Sequence, residues 1–125
     1  MRSATAGHAA RLRPRLKVWI ECDTGEGAFG DGRWRLLEAV AREGSLKAAT
    51  DALGISYRKA WGDLRKVEAC LGIPLIEKHR GGADGGETLL TDAGRQWLAA
   101  YKRFRRNVEK AVAKEFKAQI LGGRK

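Results

Sequence analysis

Apolar residues recur at helical spacing in two short runs within residues 44–71, GSLKAATDALGISYRKAWGDLRKVEACL. Leu46, Ala49 and Leu53 share one face of the first run, and Tyr57, Ala60, Trp61, Leu64 and Val67 one face of the second. Between them Leu53-Gly54-Ile55 breaks the period. Ser45 and Ser56 stand where a helix N-cap is wanted, each with a hydroxyl free to accept an orphan backbone N–H. Gly54 lies just past the end of the first run, where a left-handed turn costs glycine nothing. The pattern predicts two helices joined by a turn of about three to four residues, a helix-turn-helix. The outward face of its second helix carries Arg58, Lys59, Gly62, Arg65 and Lys66. A small residue flanked by basic ones lets a helix lie close against a phosphate-walled groove, so the stretch reads as a DNA-reading unit.

The flanking segments extend this plan. Residues 16–22, LKVWIEC, mix β-branched and aromatic residues in near-alternation and predict a strand, followed by turn chemistry at residues 23–27. Residues 32–42 predict an amphipathic helix with Trp34, Leu37, Val40 and Ala41 inward and Asp31 as its cap. Trp61 is expected to seal the bundle of three helices. Gly72-Ile73-Pro74 ends the second helix of the pair, since proline cannot continue it. Residues 75–80 and 88–90 then read as two strands around the Gly-rich tip GGADGGE, a two-stranded wing. The tip lacks the lysine and Ser/Thr of a nucleotide-binding phosphate loop. Thr91 caps a last helix with Asp92 at its positive end. Along it Trp97, Tyr101, Phe104, Val108, Ala111, Val112, Phe116 and Ile120 recur at steps of three and four. A stripe of about thirty residues, ~45 Å of helix, overshoots a small core. Its far part is expected to pair with a second copy of the chain, through Tyr101, Phe104, Val108, Val112 and Phe116. Glu115 interrupts a strict heptad, so helix packing rather than a long coiled coil is expected.

The fold class predicted is mainly α (α+β): a winged helix-turn-helix with an N-terminal strand, a Gly-rich wing and a long C-terminal dimerisation helix. Its expected divisions are a disordered basic arm at residues 1–14, the DNA-binding domain at 15–90 and the dimerisation helix at 91–121. A chain of 125 residues suits about one domain.

Charge sharpens the functional reading. The formal charge is +10, gathered at both ends and on the second helix of the pair, while residues 21–31 are acidic. Such clustering points to a polyanionic partner, nucleic acid or a membrane surface. No apolar run is long enough to span a bilayer, and an aromatic stripe that a dimer would bury argues against a membrane surface. Cys22 and Cys70 have no metal-ligand spacing and form no dense disulfide framework, so buried thiols in a reducing compartment, the bacterial cytoplasm with its nucleoid, are expected. The two histidines, His8 and His79, lack partners at catalytic spacing. No catalytic residue, cofactor or metal is therefore expected.

With these residues in place the chain resembles the N-terminal DNA-binding domain of the ModE family, molybdate-responsive regulators related to the LysR-type winged helices. The resemblance rests on FGDGRWRLLEAV, GSLKAATDALGISYRKAW, LGIPLIEKHRGG and LLTDAGRQWL, in that order, with KVWIE before them. It covers roughly residues 16–105. It implies a homodimer that represses or activates operons for molybdenum uptake or use, with the second helix in the major groove and the wing, through Lys78 and Arg80, on the DNA backbone. Two positions depart from the family's habit: Thr50 replaces a usual alanine, and the wing tip carries Ala83-Asp84 where basic residues are common. The family's C-terminal molybdate-binding modules have no counterpart before Lys125, so DNA recognition is expected to carry over and no molybdate site is expected here.

Individual roles follow from the helix model. Ser56, Tyr57, Arg58, Lys59 and Gly62 lie on the groove-facing part of the recognition helix. Arg58 or Lys59 suits guanine O6/N7, while Arg65 and Lys66 are better placed for phosphate. Ser45 and Lys47, at the start of the preceding helix, are expected to meet phosphates. Asp63 suits an ion pair along its own helix with Lys59 or Lys66, or acceptance from cytosine N4. The same basic ends also fit a non-specific architectural DNA binder, which a salt slope and a specificity ratio would separate from a sequence-specific regulator.

Overall fold

A computed structural model describes residues 11–25, 29–79 and 86–122. In chain order its elements are β1 (Trp19–Ile20), β2 (Phe29–Gly30), α1 (Asp31–Glu43), α2 (Leu46–Leu53), α3 (Tyr57–Leu71), β3 (Ile76–His79), β4 (Glu87–Leu90), α4 (Asp92–Phe116) and a π-helical turn (Lys117–Leu121). Strands β1 and β2 pair antiparallel, Trp19 opposite Gly30. Strands β3 and β4 form the wing, Ile76 opposite Leu90 and His79 opposite Glu87. This is the winged helix-turn-helix the pattern predicts, with a shorter first strand than residues 16–22 suggested. Arg80, Ala83, Asp84 and the first ten residues lie outside the described residues.

Local chemistry explains the element boundaries. Three hydroxyls cap three helices: Ser45 Oγ accepts from the Ala48 N–H at 2.9 Å, Ser56 Oγ from Lys59 N–H at 3.1 Å and Thr91 Oγ1 from Gly94 N–H at 2.8 Å. Gly54 closes α2 at φ 69°, a left-handed conformation that only glycine adopts without strain. Helix α1 departs from expectation. Its N-cap is Gly30, and Asp31 is already the first helical residue, its carboxylate turned to Tyr101 and Arg105 of α4.

The core gathers Phe29, Leu37, Val40, Leu46, Ala49, Leu64, Val67 and Leu75, each at most 1% exposed. Helix α1 buries Leu36 and Ala39 as well, while Ala41, expected inward, is exposed. Its neighbours α2, α3, β2 and β4 cover more than one stripe, so the single-face reading was too narrow. Leu53 lies at the edge of its face and Tyr57 is exposed, both partial departures from their predicted inward positions. Phe29 meets Trp97 and Tyr101 edge-on, with ring centroids 5.4 and 5.0 Å apart. Gly94 is buried where α4 crosses the β3 root, and a β-carbon there would run into the Leu75 carbonyl.

Residues 17–105 make one compact unit. Residues 106–122 belong, with residues 11–16, to a second. Within that second unit Val108, Val112 and Phe116 are half-buried, and Ala111, Ile120 and Leu121 are exposed.

The cysteines correct the expectation of separate buried thiols. Cys22, in the turn after β1, and Cys70, near the end of α3, are joined as a disulfide with their α-carbons 5.7 Å apart. Both are half-buried. A 48-residue separation hid their proximity from any reading of spacing.

Candidate nucleic-acid interface

Helix α3 presents its N-terminal half to solvent beside the wing. Arg58 is exposed there, with no side-chain partner among the described residues. Lys66 is likewise exposed and unpartnered two turns further on. Between them a β-carbon added at Gly62 would meet nothing within 4 Å, so the chain's own packing does not require a glycine at that position.

Other expected contact residues are already engaged. Lys59 Nζ donates to Asp63 Oδ2 at 3.1 Å, and the other oxygen of Asp63 takes Arg33 of α1 at 3.1 Å. Asp63 is thereby tied into the fold, and Lys59 is drawn away from the start of the helix. Lys47 lies 3.5 Å from Asp51, both largely exposed. Such a pair contributes little and opens readily. Ser45 and Ser56 each accept one backbone N–H in the caps, leaving each hydroxyl hydrogen available to donate.

A second face of α3, unforeseen in the sequence, holds the wing. Tyr57, Trp61, Arg65 and Glu68 follow at steps of four, four and three, so they line one side of the helix. Lys78 of β3 donates from Nζ to Tyr57 Oη at 2.7 Å and sits 4.8 Å from the Trp61 ring centroid. The Arg65 guanidinium lies 4.3 Å from the same ring and pairs with Glu68 Oε1 at 2.9 Å. Glu68, 8% exposed, uses its other oxygen to accept the N–H groups of Leu75 and Ile76 at 2.7 and 3.2 Å. Trp61, expected to seal the three-helix bundle, is half-buried and packs against the core, and two cations lie over its ring. The signal available in the sequence was an acidic residue at a helical step from a tryptophan and an arginine.

The other wing strand is pinned just as directly. The Thr88 N–H donates to the Gly44 carbonyl at 2.9 Å, and Thr88 Oγ1 accepts from the Leu46 N–H at 3.2 Å. Ser45, Lys47, Tyr57, Lys78 and Thr88 consequently line one shallow recess between α2, the start of α3 and the wing. Two ammonium groups, three hydroxyl-bearing residues and a helix start converge there, a chemistry suited to a phosphodiester.

The model of bacterial regulatory helix-turn-helix proteins of the lysR family matches residues 32–95, from the second residue of α1 into α4. The chain belongs to that family. Among its relatives, the molybdenum transport protein ModE of Azotobacter vinelandii is 35% identical over 117 residues, covering 92% of this chain and 42% of the relative. The molybdenum-pterin-binding protein MopB of Rhodobacter capsulatus is 36% identical, covering 68% of this chain and 32% of the relative. The chain thus carries a ModE-like N-terminal domain and spans less than half the length of these relatives. A crystal structure of a CbnR_DBD–DNA complex superposes with a TM-score of 0.54 at 25% identity, over 70% of this chain and 94% of the other. The relationship places this LysR-family domain among regulators rather than enzymes.

Within the compact unit of residues 17–105, one residue expected at a dimer interface lies elsewhere. Tyr101 is 2% exposed and packs in its own chain's core, its hydroxyl donating to Asp31 at 2.7 Å, which corrects its assignment to a surface for a second copy. Phe104, one turn on, is 43% exposed. Arg105, on the same helix, is largely buried against Asp31. Among the described residues no group of three or more His, Cys, Asp or Glu is placed to hold a metal ion. Among the described residues no helix is long and apolar enough to cross a membrane.

Proposed function

We propose that this chain reads duplex DNA in a sequence-specific way as part of a ModE-type transcriptional regulator. It binds a two-fold operator as a homodimer in the bacterial cytoplasm, and its target genes serve molybdenum uptake or use. The observation that carries this reading is the state of the exposed start of α3. Arg58 stands there unpartnered among the described residues, and Gly62 leaves room beside it that the fold does not need. A free guanidinium at that end of a recognition helix suits guanine O6/N7. The recess of Lys47 and Lys78 supports backbone contact on the flank, with Arg80 as a further candidate. Phe104, Val108, Val112 and Phe116 supply the apolar stripe through which the second copy docks.

Fluorescence anisotropy tests the proposal, using the duplex upstream of the chain's own gene and a shuffled duplex across a salt series, with and without molybdate. The expected result is binding at least ~10³-fold tighter to the upstream duplex. The 125-residue chain should be indifferent to molybdate. Equal affinity for both duplexes would overturn the sequence-specific reading in favour of an architectural one. A response to molybdate would place a sensing site within this chain.

A further inference from the structure

Trp61 occupies a position that core packing alone does not explain. It packs on the core and is half-buried, yet two cations from different elements lie within 5 Å of its ring: Arg65 Cζ at 4.3 Å from α3 and Lys78 Nζ at 4.8 Å from β3. Like charges repel, so something must hold both there. The negative face of the indole attracts each cation. Glu68 offsets Arg65, and Tyr57 receives Lys78 through its phenol oxygen at 2.7 Å. Both cations remain open to water, Arg65 with 57% of its side chain exposed. They are thus positioned by the aromatic face without being consumed by it.

We propose that Trp61 is a positioning residue for DNA binding, its indole holding Arg65 and Lys78 as a two-cation clamp on the phosphate backbone. The inference rests on the DNA-reading function above and deepens it. The clamp joins one cation of the recognition helix to one of the wing, so the two elements meet the backbone in a fixed register. An ammonium on a free lysine stem must lose its rotamer freedom on binding. Lys78 has already lost much of it between Tyr57 and Trp61. Trp61 itself touches neither base nor phosphate in this scheme, because its ring faces are taken by the core and the cations.

The test is a salt series of anisotropy titrations on the upstream and shuffled duplexes. Proteins compared are wild type, Trp61→Leu, Trp61→Phe, and Trp61→Leu in an Arg65→Met, Lys78→Met background. Trp61→Leu should weaken binding to both duplexes about tenfold and reduce the salt slope by about one to two, since each lost phosphate contact removes ~0.9. Trp61→Phe, which keeps an aromatic face, should stay within about threefold of wild type. In the background lacking both cations, Trp61→Leu should add less than about twofold, because its effect acts through them. A full tenfold loss in that background, or an unchanged salt slope, would overturn the clamp and leave Trp61 a packing residue. Wild type that binds neither duplex would remove the DNA-reading function itself, a different result from either. The unmutated protein gives a check independent of folding defects. Ring current should move the Lys78 Cε and Arg65 Cδ protons upfield in its NMR spectrum, and random-coil positions for both would defeat the proposal.

Discussion

Asp31 and Arg105 form a two-point ion pair across 74 residues of sequence, with Arg105 Nε 3.0 Å from Oδ1 and Nη2 3.0 Å from Oδ2. The pair ties the first residue of α1 to α4, and Tyr101 donates a further hydrogen bond to the same carboxylate at 2.7 Å. Arg105 holds the Asp31 carboxyl below its usual range, against the opposing pull of burial. Burial, and after it the neighbouring carboxylate, raises the Tyr101 phenol above its ordinary value.

Removing the charge of Asp31 should therefore destabilise the fold. Asp31→Asn removes the carboxylate charge facing a largely buried guanidinium and should cost about 2–3 kcal/mol in urea unfolding, below the 3–5 of a fully buried broken pair. The pH dependence has a definite sign. A depressed carboxyl contributes stability above its unfolded value, near 4, and loses it as pH falls through the folded one. Wild type should lose stability on acidification below about pH 4 more steeply than Asp31→Asn. The raised phenol adds a loss of stability above about pH 10, where the unfolded chain ionises first. Parallel acid limbs in the two proteins would show that the pair contributes nothing.

Glu68 should behave as the anchor of the wing root. Glu68→Ala leaves the buried N–H groups of Leu75 and Ile76 without an acceptor and should cost about 2–4 kcal/mol, at 1–3 for each orphaned donor partly relieved by water. Glu68→Gln retains an acceptor oxygen and should cost less than half as much. Hydrogen exchange at the Leu75 and Ile76 amides separates the two, with fast exchange expected in the alanine variant alone. Equal protection in both would assign the anchor elsewhere.

What the sequence made legible follows the range of the interaction. Ser45, Ser56 and Thr91 each cap a helix through a contact three residues away, so a local pattern reveals them. The wing strands came through for the same reason, bounded by proline and a glycine run. Asp31 was misread as a cap because its true partner lies 74 residues on. Glu68 looked like any charged helical residue, since its buried state depends on the chain doubling back at Pro74. Tyr101 fell on the apolar stripe of α4, and periodicity cannot say whether a stripe faces the chain's own core or another copy. Family membership was readable from motif order, whereas the partners taken by Lys59, Tyr57 and Lys78 required the fold.

The disulfide should be a measurable staple. Closing a loop of 48 residues restricts the unfolded chain and is worth about 4 kcal/mol in the chain-entropy model. Cys22→Ser should unfold at lower urea than wild type after both are treated with oxidised glutathione. The difference should vanish in excess dithiothreitol, which reduces the bond. A stability gap of the same size under both conditions would mean that the residue packs rather than crosslinks.

Gly62→Ala should move stability and DNA binding in opposite directions. Alanine is favoured over glycine inside a helix by about 1 kcal/mol, and its β-carbon meets nothing within 4 Å. Thermal unfolding should therefore rise. If the helix lies close in the groove, the added methyl intrudes on the duplex and affinity should fall about tenfold, equivalent to about 1.4 kcal/mol. A stabilised variant with undiminished affinity would show that this face stands back from the DNA.

Arg58 and Lys66 provide the sharpest separation of reading from holding, because neither has a side-chain partner among the described residues. Alanine at either exposed site orphans no identified group and should change stability by less than about 0.5 kcal/mol, so any loss of binding belongs to the DNA contact. Arg58→Ala should lose about 1–3 kcal/mol on the upstream duplex and far less on the shuffled one, collapsing the specificity ratio. Lys66→Ala should weaken both duplexes alike and reduce the salt slope by about 0.9. Lys59→Ala is the informative contrast, since its ammonium is already held by Asp63, which Arg33 also binds. Its loss should therefore change specificity less than the loss of Arg58. If Arg58→Ala and Lys66→Ala weakened specific and random DNA equally, neither side chain would be reading bases, and the specificity of α3 would have to come from Gly62 and the shape of the groove it fits.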